Sequence, residues 1–396
     1  MSVYLHDMNV ACALGSGCDD VRAALWRTDG PSGGELTDRY TPGTPLHLGA
    51  LRAHVDVADL PPGVPPALAS RNNAVLEHVL AGLRPAIDAA MARVDPTRVA
   101  IVLGTSTSGI HEGELAVRAR AQSGHWPAGF HYSQQELDSP SRYLAHRLGA
   151  AGPAYSISTA CSSSAKALTA AARLLEHGMA DLAIAGGVDT LCAFTIAGFR
   201  ALDSVSAVRC NPLSANRQGI NLGEGAALFL MSREPGPVHL AGWGETSDAH
   251  HISAPDPSGA GARTAMQQAL KRAGLSAADI DYVNLHGTAT PQNDVMEARA
   301  VRDLLGADIP VSSTKPQTGH ALGAAGAVEA ALLYLTLVDN PRGRLPAQWW
   351  DGALDPQIAP LHVVGADETL GRPVRHAISN SFAFGGSNCV LLMGQG

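Results

Sequence analysis

Charge and aromatic rings are both scarce in this chain. Asp, Glu, Lys and Arg make up 16% of its residues and Phe, Trp and Tyr 5%, whereas 45% are hydrophobic. A disordered segment needs more charge and less apolar content, so the composition implies a packed globular protein. The charge present is acidic, with a formal net of -8. That excludes the basic footprint of a nucleic-acid binder, although a local basic patch for an acidic partner remains compatible with it. Cysteine is sparse as well. The six residues Cys12, Cys18, Cys161, Cys192, Cys210 and Cys389 contain no CxxC pair, which excludes a zinc ribbon and a disulfide scaffold and fits a reducing compartment. The segment Met1–His6 lacks the basic and apolar regions of a signal peptide. Gly or charge interrupts every apolar run before it reaches spanning length. A cytoplasmic protein with no nucleic-acid or membrane partner is expected.

Glycine and alanine are abundant, and 396 residues are enough for two packed halves. Apolar runs at Val10–Leu14, Arg98–Leu103 and Leu182–Gly187 read as strands, the last two buried on both faces. Asn73–Met91 has helical spacing, with Pro85 expected to kink or split it. Asp19 and Asp20 are placed to cap a helix through Leu25, and 107–150 reads as an elaborated insertion. Asn211–Glu234 reads as two strands around Gly219–Gly225, and Pro235-Gly-Pro237 is the clearest punctuation. The second half repeats the order: a helix at Thr264–Gly274, strands at Ile280–Leu285 and Val311–Thr314, a helix to about Leu337, and two closing strands at His376–Ser381 and Asn388–Met393.

The halves correspond. A strand ends in Gly-Thr-Ser at Gly104 and in His-Gly-Thr at His286, and Ser-Ile-Ser-Thr before one helix matches Val-Ser-Ser-Thr before another. This weak duplication divides the chain into 1–235 and 236–396. Alternating strands and helices imply an α/β fold with largely parallel sheets, packed face to face across shared helices. Strand ends and helix starts from both halves then meet near one point.

Three chemistry-bearing residues occupy such positions. Cys161 stands where the strand Tyr155–Ser158 turns into the helical run Ala165–Leu175. A helix start presents free N–H groups and a positive dipole end, both of which favour a thiolate; a buried structural cysteine is the alternative. His286 and His320 sit at the corresponding places of the second half. One such histidine is commonly a satisfied hydrogen-bonding residue. Two of them beside a cysteine offer a nucleophile and two N–H donors for an oxyanion.

The motifs Ser158-Thr-Ala-Cys161-Ser-Ser, Leu285-His286-Gly-Thr-Ala-Thr-Pro291, Lys315-Pro-Gln-Thr-Gly-His320-Ala-Leu-Gly-Ala-Ala-Gly and Asn380-Ser-Phe-Ala-Phe384-Gly-Gly-Ser-Asn388 resemble those of β-ketoacyl-ACP synthases, types I and II, the Cys-His-His branch of the thiolase superfamily. The resemblance covers nearly the whole chain. It implies the thiolase fold, with two similar halves in a layered α-β-α-β-α sandwich. It also implies that Cys161 carries an acyl chain received from acyl carrier protein. His286 and His320 would promote decarboxylation of malonyl-ACP and hold the enolate oxygen, and the backbone N–H groups of Cys161 and Phe384 would form an oxyanion hole. Phe384 matches a gating phenylalanine, and Lys315 and Glu329 match a supporting pair that orients the histidine region. No metal or redox cofactor is implied, since substrates ride on the carrier's phosphopantetheine.

The sequence departs from the family pattern at Ala383, where a Gly is usual and an Ala would stiffen or narrow the gate. It departs again at Leu213-Ser214, at Arg217-Gln218-Gly219-Ile220, and after His286, where Asp294 ends a variant run. This variant set resembles the ketosynthases of aryl-polyene pathways, which leaves fatty-acid and polyene elongation both open. Asp294 and Glu297 read as helix-capping residues. Arg71, Arg118 and Arg120 are candidates for carrier docking but read as solvated arginines. A second reading of the chain is a non-elongating chain-length-factor-like partner of another ketosynthase. Such partners typically lose the nucleophile, which is present here. Thiolases and type III synthases fit worse: Cys389 is misplaced for a second catalytic cysteine, and a type III enzyme has Asn where His320 stands. The family dimerises through its first half, so a homodimer, or a heterodimer with a related ketosynthase or chain-length factor, is expected.

Overall fold

Val99–Gly104 shows how the architecture arises. All of its residues are buried, as a strand covered on both faces by helices requires. The computed structural model describes residues 2–396. In chain order, the strands of the first half are β1 (Tyr4–Cys12), β2 (Gly15–Ser16), β3 (Glu35–Thr37), β4 (Leu46–Leu48), β5 (Val99–Gly104), β6 (Ala154–Ile157), β7 (Leu182–Asp189) and β8 (Gly225–Ser232). Those of the second are β9 (Val238–Ser247), β10 (Tyr282–Asn284), β11 (Pro310–Ser312), β12 (His362–Val363), β13 (His376–Ala383) and β14 (Ser387–Gln395). The helices are α1 (Cys18–Leu25), α2 (Arg71–Met91), α3 (Ile110–Ser123), α4 (Ser139–Leu148), α5 (Ser163–Glu176), α6 (Ala193–Ala201), α7 (Ala260–Ala273), α8 (Pro291–Leu305), the single turn α9 (Lys315–Thr318) and α10 (Ala325–Leu337).

The duplication is explicit in the strand order. The first half runs β6-β5-β7-β8-β1 and the second β11-β10-β13-β14-β9, with β12 added at the outer edge. In each, three parallel strands are followed by two antiparallel ones. The sheets are thus mixed rather than largely parallel, because each half closes with an antiparallel strand and returns its first strand beside it. The two sheets touch through β1 and β9, where Tyr4 pairs with His239 and Leu5 with Val238.

Between the sheets lie α5 and α10, packed on each other. Every residue of α10 is buried, as a helix that is apolar on nearly every face demands, and its one carboxylate, Glu329, is paired with Lys315. The two helices approach closely: a Cβ on Gly326 would lie 2.8 Å from the Cβ of Ala165, so this position requires glycine. Outside the first sheet lie α2 and α4, and outside the second α7 and α8. The result is the α-β-α-β-α sandwich.

Three local expectations need correction. Helix α2 runs through Pro85 unbroken; both Pro85 and Ala81, whose carbonyl loses its partner, are exposed, so water satisfies that group. Only β8 forms within Asn211–Glu234. The preceding residues make isolated bridges instead, notably Leu222 with His320. The insertion 107–150 contains two regular helices, α3 and α4.

Candidate active site

Cys161 sits in the turn between β6 and α5, two residues before the helix begins. Ala160 takes a positive φ of 53° to expose it. The serines that follow fix this turn: Ser163 Oγ accepts from the Thr159 N–H at 2.9 Å, Ser162 Oγ donates to the Thr159 carbonyl at 2.9 Å, and Ser164 Oγ accepts from the Ala327 N–H at 2.8 Å, hooking α5 to α10. Local side-chain bonds of this kind favour turns and helix starts.

His286 follows β10. Its N–H and that of Gly287 donate to the two carboxylate oxygens of Glu297 at 2.7 and 2.8 Å. His320 follows α9 and is held as a one-residue strand, its N–H on the Asn221 carbonyl at 2.7 Å and its carbonyl accepting from Gly223 at 2.9 Å. The fold brings the three together. Cys161 Sγ and a ring nitrogen of each histidine all lie within 4.8 Å of one another. His320 Nε2 is 3.1 Å from Sγ, and the two imidazoles meet edge to face at 5.3 Å. All three residues are buried.

The hydrogen bonds assign the imidazole protons. The Leu322 N–H donates to His320 Nδ1 at 3.2 Å, so that nitrogen is an acceptor and the proton sits on Nε2, facing Cys161. Lys315 Nζ lies 3.4 Å from His286 Nδ1, which has the same effect on His286. The ammonium also bonds the His286 carbonyl and the Glu329 carboxylate, and both members of that ion pair are buried. The pair therefore braces His286, not His320, although Lys315 and Glu329 flank His320 in sequence.

Burial, and after it Lys315, holds both histidines well below the usual imidazole range, with His320 adding to the effect on His286. Both are neutral near pH 7. The Cys161 thiol is pushed up to about 11 by burial, opposed by Lys315 and by the backbone N–H groups of Phe384 and Cys161. Desolvation thus outweighs the helix start that the sequence suggests would favour a thiolate, and the resting thiol is protonated.

Cys161, His286, His320 and Phe384 line one cavity of about 480 Å³. Its lining also includes Thr288, Thr290, Gln292, Asp248, His251 and Ser253. The Phe384 ring lies 5.9 Å from that of Phe199. The loop that carries Phe384 is tied at three points: Gly385 N–H donates to the Ile252 carbonyl at 2.7 Å, Asp248 N–H to the Gly386 carbonyl at 2.9 Å, and Ser387 Oγ bonds Lys166 Nζ at 2.7 Å and Ser162 Oγ at 3.1 Å. Ala383 has φ -98° and ψ 155°, extended backbone that any residue adopts, so the departure from glycine costs no strain there.

Asp294 and Glu297 are not helix caps. Both are fully buried; Asp294 accepts from Leu213 at 2.8 Å and Ala289 at 3.2 Å, and Glu297 holds the His286 turn. Their spacing on α8 turns them inward, a signal that an acidic first turn conceals. Arg71 is no docking residue, because its guanidinium is buried in a bidentate pair with Glu224. Arg120 stacks 4.5 Å over Trp126. Sequence reasoning also passed over Asp189, Thr288 and Thr290.

Comparison with known proteins gives the family. The description "Beta-ketoacyl synthase, N-terminal domain" matches residues 76–235, and its C-terminal counterpart matches 238–341. The 3-oxoacyl-[acyl-carrier-protein] synthase 2 of Rhizobium meliloti (strain 1021) is 40% identical over 264 residues, 61% of this chain and 61% of that protein. The Staphylococcus aureus protein of the same name is 31% identical over 346 residues, 82% of this chain and 84% of that protein. Among solved structures, the ketosynthase ApeO, in complex with its chain length factor ApeC, from Xenorhabdus doucetiae superposes with a TM-score of 0.90 at 41% identity, covering 100% of this chain and 98% of that one. The sequence matches run along both halves and the superposition covers the full length, and the chain belongs to the β-ketoacyl synthase family.

Proposed function

We propose that this chain is a β-ketoacyl-ACP synthase, an acyltransferase that condenses an acyl-ACP with malonyl-ACP by decarboxylation. The observation that carries this reading is the approach of His320 Nε2 to Cys161 Sγ at 3.1 Å beside His286, inside a cavity open to a carrier-borne arm. The Cys161 sulfur attacks the thioester carbonyl of acyl-ACP, and its proton leaves with the released phosphopantetheine thiol. Malonyl-ACP then enters. Its C–C bond breaks to release CO₂, and the electron pair forms a thioester enolate whose oxygen accepts from His286 and His320 Nε2–H. Neutral, preoriented donors suit this task, because they stabilise charge only as it develops. The enolate carbon attacks the acyl-Cys161 carbonyl, and the N–H groups of Cys161 and Phe384 receive the oxyanion. Collapse expels the Cys161 sulfur, which takes up one proton. The products are β-ketoacyl-ACP, CO₂ and free carrier.

Lys315 and Glu329 support this chemistry without touching substrate. Neither half-reaction calls for a redox cofactor or metal. No helix among the described residues is long and apolar enough to cross a membrane, and we place the protein in the cytoplasm. Acyl carrier protein is the substrate-bearing partner. The relationship to the complex of ApeO with its chain length factor favours a heterodimer over a homodimer. The intact Cys161, His286 and His320 argue against a non-elongating role.

The test is mass spectrometry of carrier-bound products from a panel of acyl-ACP primers with malonyl-ACP, using the chain alone and co-purified with a chain-length factor. A two-carbon β-keto extension that Cys161→Ala abolishes is the expected result. Extension that survives the substitution overturns the assignment, and light scattering on the same samples reports the assembly.

A further inference from the structure

A further buried carboxylate joins the loop after β5 to the turn after His320. Asp189, at the end of β7, is fully buried and has no cationic partner among the described residues. It accepts instead from five groups: Thr105 Oγ1 at 2.7 Å, the N–H groups of Ser106 and Thr107 at 2.8 Å, Thr107 Oγ1 at 2.8 Å, and the N–H of Gly323 at 2.6 Å. A charged acceptor that receives several N–H and O–H bonds is among the stronger tethers a protein interior holds.

The two groups of donors belong to different loops. Thr105–Thr107 form the loop after β5, which packs on the nucleophile turn: Ser106 Oγ reaches the Ala160 carbonyl at 3.4 Å, and a Cβ on Gly104 would strike Ser164. Gly323 belongs to the turn after His320, next to Leu322. Leu322 has a positive φ of 48°, which is costly for a residue with a Cγ branch and persists only where neighbours impose it. Its N–H is the donor that keeps the His320 proton on Nε2. The fit at Gly323 is tight, since a Cβ there would lie 2.8 Å from Asp189 Oδ2 and 2.6 Å from Ser106 Oγ.

We infer that Asp189 is a positioning residue for His320. It ties the His320 turn to the nucleophile loop, holding Leu322 in its left-handed conformation and so fixing both the His320 tautomer and the separation of His320 from Cys161. Glu297 is its counterpart in the second half, where a buried carboxylate holds two consecutive N–H groups after β10 as Asp189 does after β5. Loss of the tether frees the Leu322 N–H from Nδ1, and His320 then populates both tautomers. The decarboxylation step, which needs Nε2–H, suffers, while attack by the Cys161 sulfur does not.

The inference rests on His320 acting in the malonyl half-reaction, and the experiment separates the two. Asp189→Asn, Gly323→Ala and His320→Ala are assayed for malonyl-ACP decarboxylation and, separately, for loading of Cys161 from acyl-ACP. Asp189→Asn places an NH₂ against N–H donors; Gly323→Ala keeps the carboxylate but drives a methyl group against Asp189 and Ser106, which pushes the His320 turn away from the loop after β5. Both are expected to lower kcat for decarboxylation at least tenfold, with the malonyl-ACP KM and the loading rate within threefold of the parent. Asp189→Glu, which keeps the carboxylate, is expected to restore part of kcat. The ¹⁵N signals of the His320 ring should move from a single Nε2–H form to a mixture. If Asp189→Asn does not fold, Gly323→Ala carries the test alone. An unchanged decarboxylation rate, an equal loss of both steps, or an unmoved ring signal overturns the inference. If His320→Ala itself leaves decarboxylation intact, the fault lies with the functional assignment of His320 instead.

Discussion

Lys315 bonds to His286 although it stands near His320 in sequence. Its ammonium meets the His286 carbonyl and lies 3.4 Å from Nδ1. A cation in that place both donates to Nδ1 and opposes protonation of the ring. Replacing Lys315 with Met, together with Glu329→Gln so that no unpaired carboxylate is left buried, therefore raises the pKa of His286. The acid limb of malonyl-ACP decarboxylation should move to higher pH, and the rate at neutral pH should fall. A limb at the parent's position would show that Lys315 does not set the protonation state of His286.

The same depression links the fold to pH. His286 and His320 stay neutral when folded, whereas in the unfolded chain they titrate near ~6.5. The unfolded state thus binds more protons, and stability is lost as pH falls below about 6.5. Urea midpoints measured between pH 5 and 8 should rise with pH through this window for the parent, and less steeply for a His286→Gln, His320→Gln double variant. Parallel curves would contradict the burial of two neutral imidazoles.

Electrophile labelling distinguishes the cysteines. Cys161 opens onto the cavity, whereas Cys389 is fully buried within β14 and burial pushes its thiol up further than that of Cys161. A cerulenin-type electrophile should modify Cys161 alone, read by peptide mapping. Modification of Cys389 in the folded protein would count against the assignment of the nucleophile.

Glu297 accepts from His286, Gly287, Asn380 and Asn293. All four partners are donors. Glu297→Gln turns one acceptor into a donor, which leaves at least one buried N–H without a partner, and should destabilise the protein by about 1–3 kcal/mol. Kinetically, decarboxylation should decline more than Cys161 loading, because the displaced backbone is that of His286. Unchanged urea unfolding would remove the brace from the account.

Much of this was legible in the residues. Strand-end Gly-Thr-Ser and His-Gly-Thr mark the paired loops after β5 and β10, and the motifs around Cys161, His286, His320 and Phe384 point to the residues that the fold gathers. What escaped was direction. Asp294 and Glu297 read as helix-capping residues, and only packing reveals that they face inward. Arg71 carries no local mark of its pairing with Glu224, which lies more than a hundred residues away. Asp189 ends a strand that reads simply as apolar, and its partners come from two distant turns. The helix start after Cys161 predicts a thiolate, but desolvation in an enclosed site outweighs it, and no one-dimensional pattern shows how enclosed a site is.

Phe384 contributes its ring to the cavity wall and its N–H to the Cys161 thiol. Its loop is bonded to residues 248 and 252 at the mouth and to Ser162 and Lys166 beside the nucleophile. Obstruction and assistance thus reside in one amino acid. Because ring and amide belong to one residue, any displacement of its backbone shifts the cavity wall and the N–H beside the sulfur together.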